Sequence, residues 1–234
     1  PGTMGSDLST YALRKLRKDG LFPIARDAEY SDEDVFDLIE FLFDHVSKPT
    51  EGEYHSWNQC GWHYNKFDKA IGQSEFRTAI NEFLVDYGWE LSPTGEVLAV
   101  GDAGLENLFG ASLQQTDEAN VSQRVDEAIR KFRRHGSSVS DRRDAVRDLG
   151  DVLEFLRPQL KRVLTSQDES DLFNIANNFG IRHHNEKQKT QYDEPIWLSW
   201  MFYFYLATIH AAIRLIEKAG HSARGYAAKP AEDW

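Results

Sequence analysis

The sequence predicts a mainly α-helical protein, with a helix-rich N-terminal domain carrying one β-hairpin and then a C-terminal antiparallel four-helix bundle. Three observations predict it. From Val121 onward, apolar residues recur at helical spacing in successive stripes joined by short polar connections, the pattern of an up-down bundle. Helix-start chemistry stands ahead of several stripes. Strand-like signal is confined to two short runs flanking Ser92-Pro93-Thr94-Gly95, which predicts a hairpin at 89–100.

The opening Pro1 to Asp7 reads as an expression-vector remnant with a start Met inside it. Leu8 to Lys18 suits a short basic amphipathic helix. Ser31-Asp32-Glu33-Asp34 is an N-cap followed by first-turn acids, which the helix dipole favours. Val35, Leu38, Ile39, Leu42 and Val46 then face inward until Pro49 ends the element. Residues 50–72 are irregular and aromatic and read as a loop pinned by its rings, with some short helix. Gln73 to Tyr87 reads as a helix burying Phe76, Ile80, Phe83 and Leu84, stopped by Gly88.

Periodicity lapses over 112–120, which places the boundary between an N-terminal domain, 8–115, and a bundle, 116–220. Val121, Val125, Ile129 and Phe132 stripe the first bundle helix, and Gly136 ends it. Ser138 or Ser140 caps the second, whose stripe runs Ala145, Leu149, Val152, Leu156, Leu160, Val163. Pro158 falls within that stripe and predicts a kink. Ser166-Gln167-Asp168-Glu169 has capping-box spacing and opens the third, with Leu172, Ile175, Ala176 and Phe179 inward. A polar loop leads to a long aromatic fourth helix, and 221–234 reads as a flexible tail.

Ile196 to Ile216 is apolar enough to be checked as a membrane span. His210 and Arg214 in its last turns, and Trp and Tyr through its middle, favour a core helix or a dimer seam. Its ring stripe of Trp197, Trp200, Phe202, Phe204 and Tyr205 exceeds one helix face, so part of it needs cover from the N-terminal domain or a second subunit. No membrane partner is expected. The lone Cys60 rules out an internal disulfide and fits a reducing, cytoplasmic setting.

Charge is uneven. Residues 1–116 hold twenty acidic against nine basic side chains, whereas 117–220 hold sixteen of each. The N-terminal part therefore repels a polyanion and is the better surface for a protein partner, and any RNA contact belongs to the bundle. No GxGxxG, GxxxxGK[ST] or HExxH occurs, which weighs against a nucleotide triphosphatase, a dinucleotide enzyme and a zincin, and no cofactor or metal is expected. His55, Cys60 and His63 have suggestive spacing, but a structural zinc site wants four ligands. Acids such as Asp32 and Asp34 are helix-start residues first, and His210 is most simply a hydrogen-bonded core residue.

The candidate catalytic residues are Arg182, His183 and His184, with Asn177, Asn178, Asn185 and Lys187 as RNA- or nucleotide-binding candidates. A neutral His accepts a proton near pH 7, and an Arg fork holds an anionic oxygen. Together they suit metal-free RNA cleavage, with His activating the ribose 2′-hydroxyl and Arg steadying the phosphorane. The plainer reading is that basic residues in a last helical turn complement its dipole.

The segments "DRRDAVRDLGDVLEFLRP", "NIANNFGIRHHNEKQ" and "IWLSWMFYFYLATIH", together with "DEPIW" before the last helix, resemble the HEPN superfamily, and more narrowly abortive-infection (Abi-like) proteins. Residues 33–100 resemble the N-terminal part of such proteins more loosely. The resemblance implies a HEPN-like bundle, homodimeric through its C-terminal helices, and often an endoribonuclease used against phage. The sequence departs from the superfamily's motif of Arg, four to six residues, then His: Asn178 and Phe179 stand at the four-residue-gap positions before His183 and His184. That spacing occurs instead at Arg130/His135 and Arg214/His221. A non-catalytic module with a degenerate site, binding RNA, a nucleotide or a protein, is the alternative.

Overall fold

The computed structural model describes residues 7–102, 104–111, 113, 117–178 and 193–227; side chains are described for all of these except 174–178 and 221–227. Among them the chain is mainly helical and divides into two compact units, 1–100 with 134–136, and 101–133 with 137–234.

In the N-terminal unit, Asp7 caps α1 (Leu8–Leu16) by accepting from the Thr10 N–H at 3.0 Å, so Asp7 belongs to the fold rather than to a remnant. Ser31 caps α2 (Asp32–His45) in a reciprocal box with Asp34. The Ser31 hydroxyl and Lys18, at 3.0 Å, hold the Asp34 carboxyl down at about 2. The α2 face buries Phe36, Leu38, Ile39, Phe41 and Phe43, while Val35, expected inward, is exposed.

Residues 48–68 form no loop. They make an antiparallel ribbon, β1 (Lys48–His55) and β2 (Gly61–Asp68), turned by a 3-10 segment at Trp57–Gln59. Two register shifts near Pro49 and Glu51 break the clean alternation that would have announced a strand. The second hairpin, β3 (Trp89–Leu91) with β4 (Val97–Ala99), lies where expected. It packs on α3 (Lys69–Leu84), whose Asn81 clamps Leu91 from both sides, accepting its N–H at 2.6 Å and donating to its carbonyl at 3.1 Å. Gly95 at the hairpin turn has φ +92°, and a Cβ there would lie 2.3 Å from Phe43. Phe36, Ile39, Phe43, Leu84, Leu91 and Val97 form the core. Phe83, expected inward, is 68% exposed.

The C-terminal unit begins at Gly101, not near residue 116. The Asp102 N–H donates to the Tyr203 hydroxyl at 2.8 Å, and Phe109 and Leu113 pack on the helical core, so the segment after β4 belongs to the helices it covers. Conversely, residues 134–136 return to the first unit, because the His135 N–H donates to the Val97 carbonyl at 3.2 Å and Arg134 bridges Leu98. A π turn (Glu118–Ser122) leads into α4 (Gln123–Arg133). Ser138 caps α5 (Val139–Leu160) in a box with Asp141. Pro158 brings the stop rather than a kink: the helix ends two residues on, and Lys161 to Leu164 close in a turn. Thr165, one residue ahead of the expected cap, opens α6 (Ser166–Asn178), its hydroxyl accepting the Asp168 N–H at 3.2 Å. Glu169 is thereby freed to pair with Arg157 at 2.5 Å. Helix α7 runs Glu194–Ala227, so 221–227, expected as tail, is helical.

Side-chain contacts give the helix directions. Phe132 at the end of α4 stacks on Phe202 near the start of α7, 4.0 Å between ring centroids, so these two run antiparallel. Lys131 pairs with Asp148, and Val121 at the other end lines a cavity with Phe155 and Leu156, so α4 is antiparallel to α5 as well. By contrast Arg143 meets Glu194 at 2.7 Å while Phe155 and Leu156 share that cavity with Ile213 and Ile216. Helices α5 and α7 are therefore parallel, which is what α6 between them permits. Leu149, Leu153, Phe202, Tyr205 and Ile209 fill the common core, and α6 adds Phe173 under the Arg157 guanidinium. The Glu194–Gly220 stretch of α7 is long and apolar enough to cross a membrane by length and composition, and half of its most apolar window is buried in the protein.

Candidate functional site

Arg182, His183, His184, Asn185 and Lys187 lie outside the described residues, as do the side chains of Asn177 and Asn178 in the last turn of α6. What is described is the far end of that connection. Asp193 starts α7 by accepting the Ile196 N–H at 3.3 Å, and Arg143 ties Glu194 to the first turns of α5. Beyond it, Trp197 meets Trp200 edge-on and Trp200 stacks on Phe204, with Ile196, Trp197 and Trp200 exposed.

The alternative Arg-to-His spacings fare differently. His135 is a structural tie: its Nε2 lies 3.1 Å from Glu40, its ring packs edge-on against Phe36, and its side chain is only 7% exposed. Burial pushes the Glu40 carboxyl up, but hydrogen bonds from His135 and the Val97 N–H, with nearby positive charge, outweigh that and hold it below the usual range. Arg214 is exposed, and the His221 side chain is not described.

The Cys60 Sγ lies 2.7 Å from His63 Nε2, the His55 and His63 rings stand 4.8 Å apart, and Glu53 lies 3.6 Å from His55. Among the described residues no three such side chains converge as a metal site.

One site was passed over as core. His210 lines a cavity of about 290 Å³ with Glu118, Ser122, Asp126, Phe109, Val125 and Ile129. Its position four residues after Leu206 on the buried stripe predicts burial, and it is buried. The unforeseen part is the polar wall opposite, made by the π turn, a feature that tends to occur at functional sites. Burial and then the nearby Arg214 charge lower the His210 pKa, while its hydrogen bond to the Leu108 backbone opposes them. The imidazole is thus neutral at pH 7. Two carboxyl side chains in the lining make this cavity hospitable to a cationic group and repellent to phosphate. The only signals in the sequence were a His on an apolar stripe and acids before α4; nothing linked them.

No family model, curated protein or solved structure matches the chain.

Proposed function

We propose that the chain is an Abi/HEPN-like antiphage defence protein whose C-terminal unit is a HEPN-like four-helix bundle and a metal-independent endoribonuclease. The observation that carries this reading is positional. In the sequence, Arg182-His183-His184 stands between the end of α6 at Asn178 and the start of α7 at Glu194, in a unit whose α4 runs against both α5 and α7. In this reading Arg182 clamps the phosphate, and His183 or His184 takes the 2′-hydroxyl proton and returns one to the leaving 5′-oxygen. Asn177, Asn178, Asn185 and Lys187 bind the flanking nucleotides. The exposed Ile196, Trp197 and Trp200 on α7 support a homodimer through this unit. The acidic N-terminal unit offers a surface to a protein partner, and a cytoplasmic setting follows from the single cysteine.

A second reading has a specific observation behind it. Asn178 and Phe179 hold positions where the superfamily's motif has Arg, and His135, which does follow an Arg at the right spacing, is locked to Glu40. On that reading the cluster binds RNA or a nucleotide without cutting.

The test is incubation of RNA with the protein in EDTA, wild type against Arg182→Ala/His184→Ala. Cleavage to 2′,3′-cyclic phosphate ends, lost in the double variant, is the expected outcome. Intact RNA with both proteins, alongside retained RNA binding, moves the assignment to the non-catalytic reading.

A further inference from the structure

The N-terminal unit exposes apolar surface at both ends of α3. At the N-terminal end stands the β1–β2 ribbon. Its cross-strand pairs Tyr54↔Trp62 and Gly52↔Tyr64 put three rings on one face, because directly opposite residues point the same way. Trp62 stacks on Tyr64 at 5.8 Å and 12°, and Tyr54 meets Trp62 edge-on. Trp57 at the tip is 84% exposed. A two-stranded ribbon with an uncovered apolar face is marginal alone in water. At the C-terminal end of α3 lies a groove of about 470 Å³ lined by Val35, Phe36, Ile80, Phe83, Tyr87 and Trp89, with Phe83 and Tyr87 exposed at its edge.

We infer that ribbon and groove bind each other between two copies of the chain, each copy's ribbon lying in the other's groove. Three observations select that occupant. The first is area: scaling the side-chain areas of Tyr54, Trp57, Trp62, Tyr64, Phe83 and Tyr87 by their exposures gives roughly 800 Å² per chain, what one partner of a standard interface buries. The second is reach. The sixteen residues of α3 span about 24 Å, and the eight-residue strands about 26 Å. Ribbon and groove stand at opposite ends of α3, so two α3 helices set antiparallel about a two-fold axis bring the ribbon end of each to the groove end of the other, twice over. The third is charge. Lys66 pairs with Glu51 and Lys48 with Glu75, so the ribbon adds little net charge beside a groove whose lining has Asp32 as its acid. The same acidic unit repels RNA, which disfavours these rings as a base-stacking platform. This interface is separate from the α7 surface and does not depend on the ribonuclease reading.

Sedimentation equilibrium of the full chain tests it, with circular dichroism to verify that each variant folds. With the α7 surface disarmed by Trp200→Ser, the chain is expected to remain dimeric at micromolar concentration. Added in that background, Trp57→Ser/Trp62→Ser and Phe83→Ser/Tyr87→Ser should each weaken association by at least about tenfold. Mixing the ribbon and groove variants should restore a heterodimer, because one intact ribbon then meets one intact groove. As Cys60 is the sole cysteine, a short bismaleimide applied to the Tyr87→Cys variant should join Cys60 of one chain to the introduced thiol of the other. A monomeric Trp200→Ser chain overturns the inference. So does a Trp200→Ser dimer that survives the ribbon or the groove variant.

Discussion

Single side chains settle several questions of burial and charge. His210 is the clearest case. Its pKa is lowered from 6.5 in the folded chain, chiefly by burial. Above about pH 6.5 the imidazole is neutral in both folded and unfolded states and adds no pH dependence. Below that, the unfolded chain takes up the proton first, so stability falls with pH until the folded His210 also protonates. His210→Gln should therefore flatten the wild-type loss of melting temperature between about pH 6.5 and 5; an unchanged slope contradicts the burial argument. Asn81 tests the N-terminal core in the same way. It satisfies both backbone groups of buried Leu91, so Asn81→Ala should cost about 1–3 kcal/mol in urea unfolding. Both residues were present in the sequence, but neither had a local signal for its role: Asn81 acts across ten residues, and His210 faces a turn some ninety residues earlier in the chain.

At the scale of elements, what was legible followed short-range physics. Caps and stripes placed α2, α4, α5 and α7, because an N-cap bonds three residues on and a buried helix face repeats every turn. The β3–β4 hairpin was legible from its Pro-Gly turn. The β1–β2 ribbon was not, since its bulges disturb the two-residue period and its rings read as loop packing. Thr165 rather than Ser166 caps α6, and Glu169, the expected box partner, pairs instead with Arg157 on α5. Gly52 offers a check on the ribbon. A Cβ there would lie 2.5 Å from the His63 carbonyl oxygen, a backbone atom that cannot swing aside. Gly52→Ala should speed amide hydrogen exchange across 48–68 and leave α5 and α7 protected. In the helical unit, Leu149 is fully buried, so Leu149→Ala should cost about 2–5 kcal/mol by denaturant melting. A loss below about 1 kcal/mol would mean that α5 does not form the core drawn here.

For the whole molecule, charge and periodicity divided the chain in two, but near residue 116 rather than at Gly101. The reason is that chain order and packing differ. Tyr203, on α7, accepts the Asp102 N–H, and His135, after α4, ties to Glu40 on α2. Such pairings span about a hundred residues, beyond the range of caps and stripes. By contrast, the up-down order expected of the helices sets the second and fourth of them parallel, and α5 and α7 do run parallel. The Arg182-His183-His184 run, a sequence concentration of Arg, His and Asn, lies outside the described residues, and the metal-free RNA cleavage proposed for it is a matter for experiment. The most direct measurement uses a short RNA of defined sequence, cut by the wild-type protein in EDTA, and the same RNA with a single 2′-deoxy substitution at the scissile nucleotide. A 2′,3′-cyclic phosphate by mass spectrometry and no cut at the deoxy position are expected. Equal cleavage of the deoxy RNA, or 3′-hydroxyl ends, would contradict that chemistry.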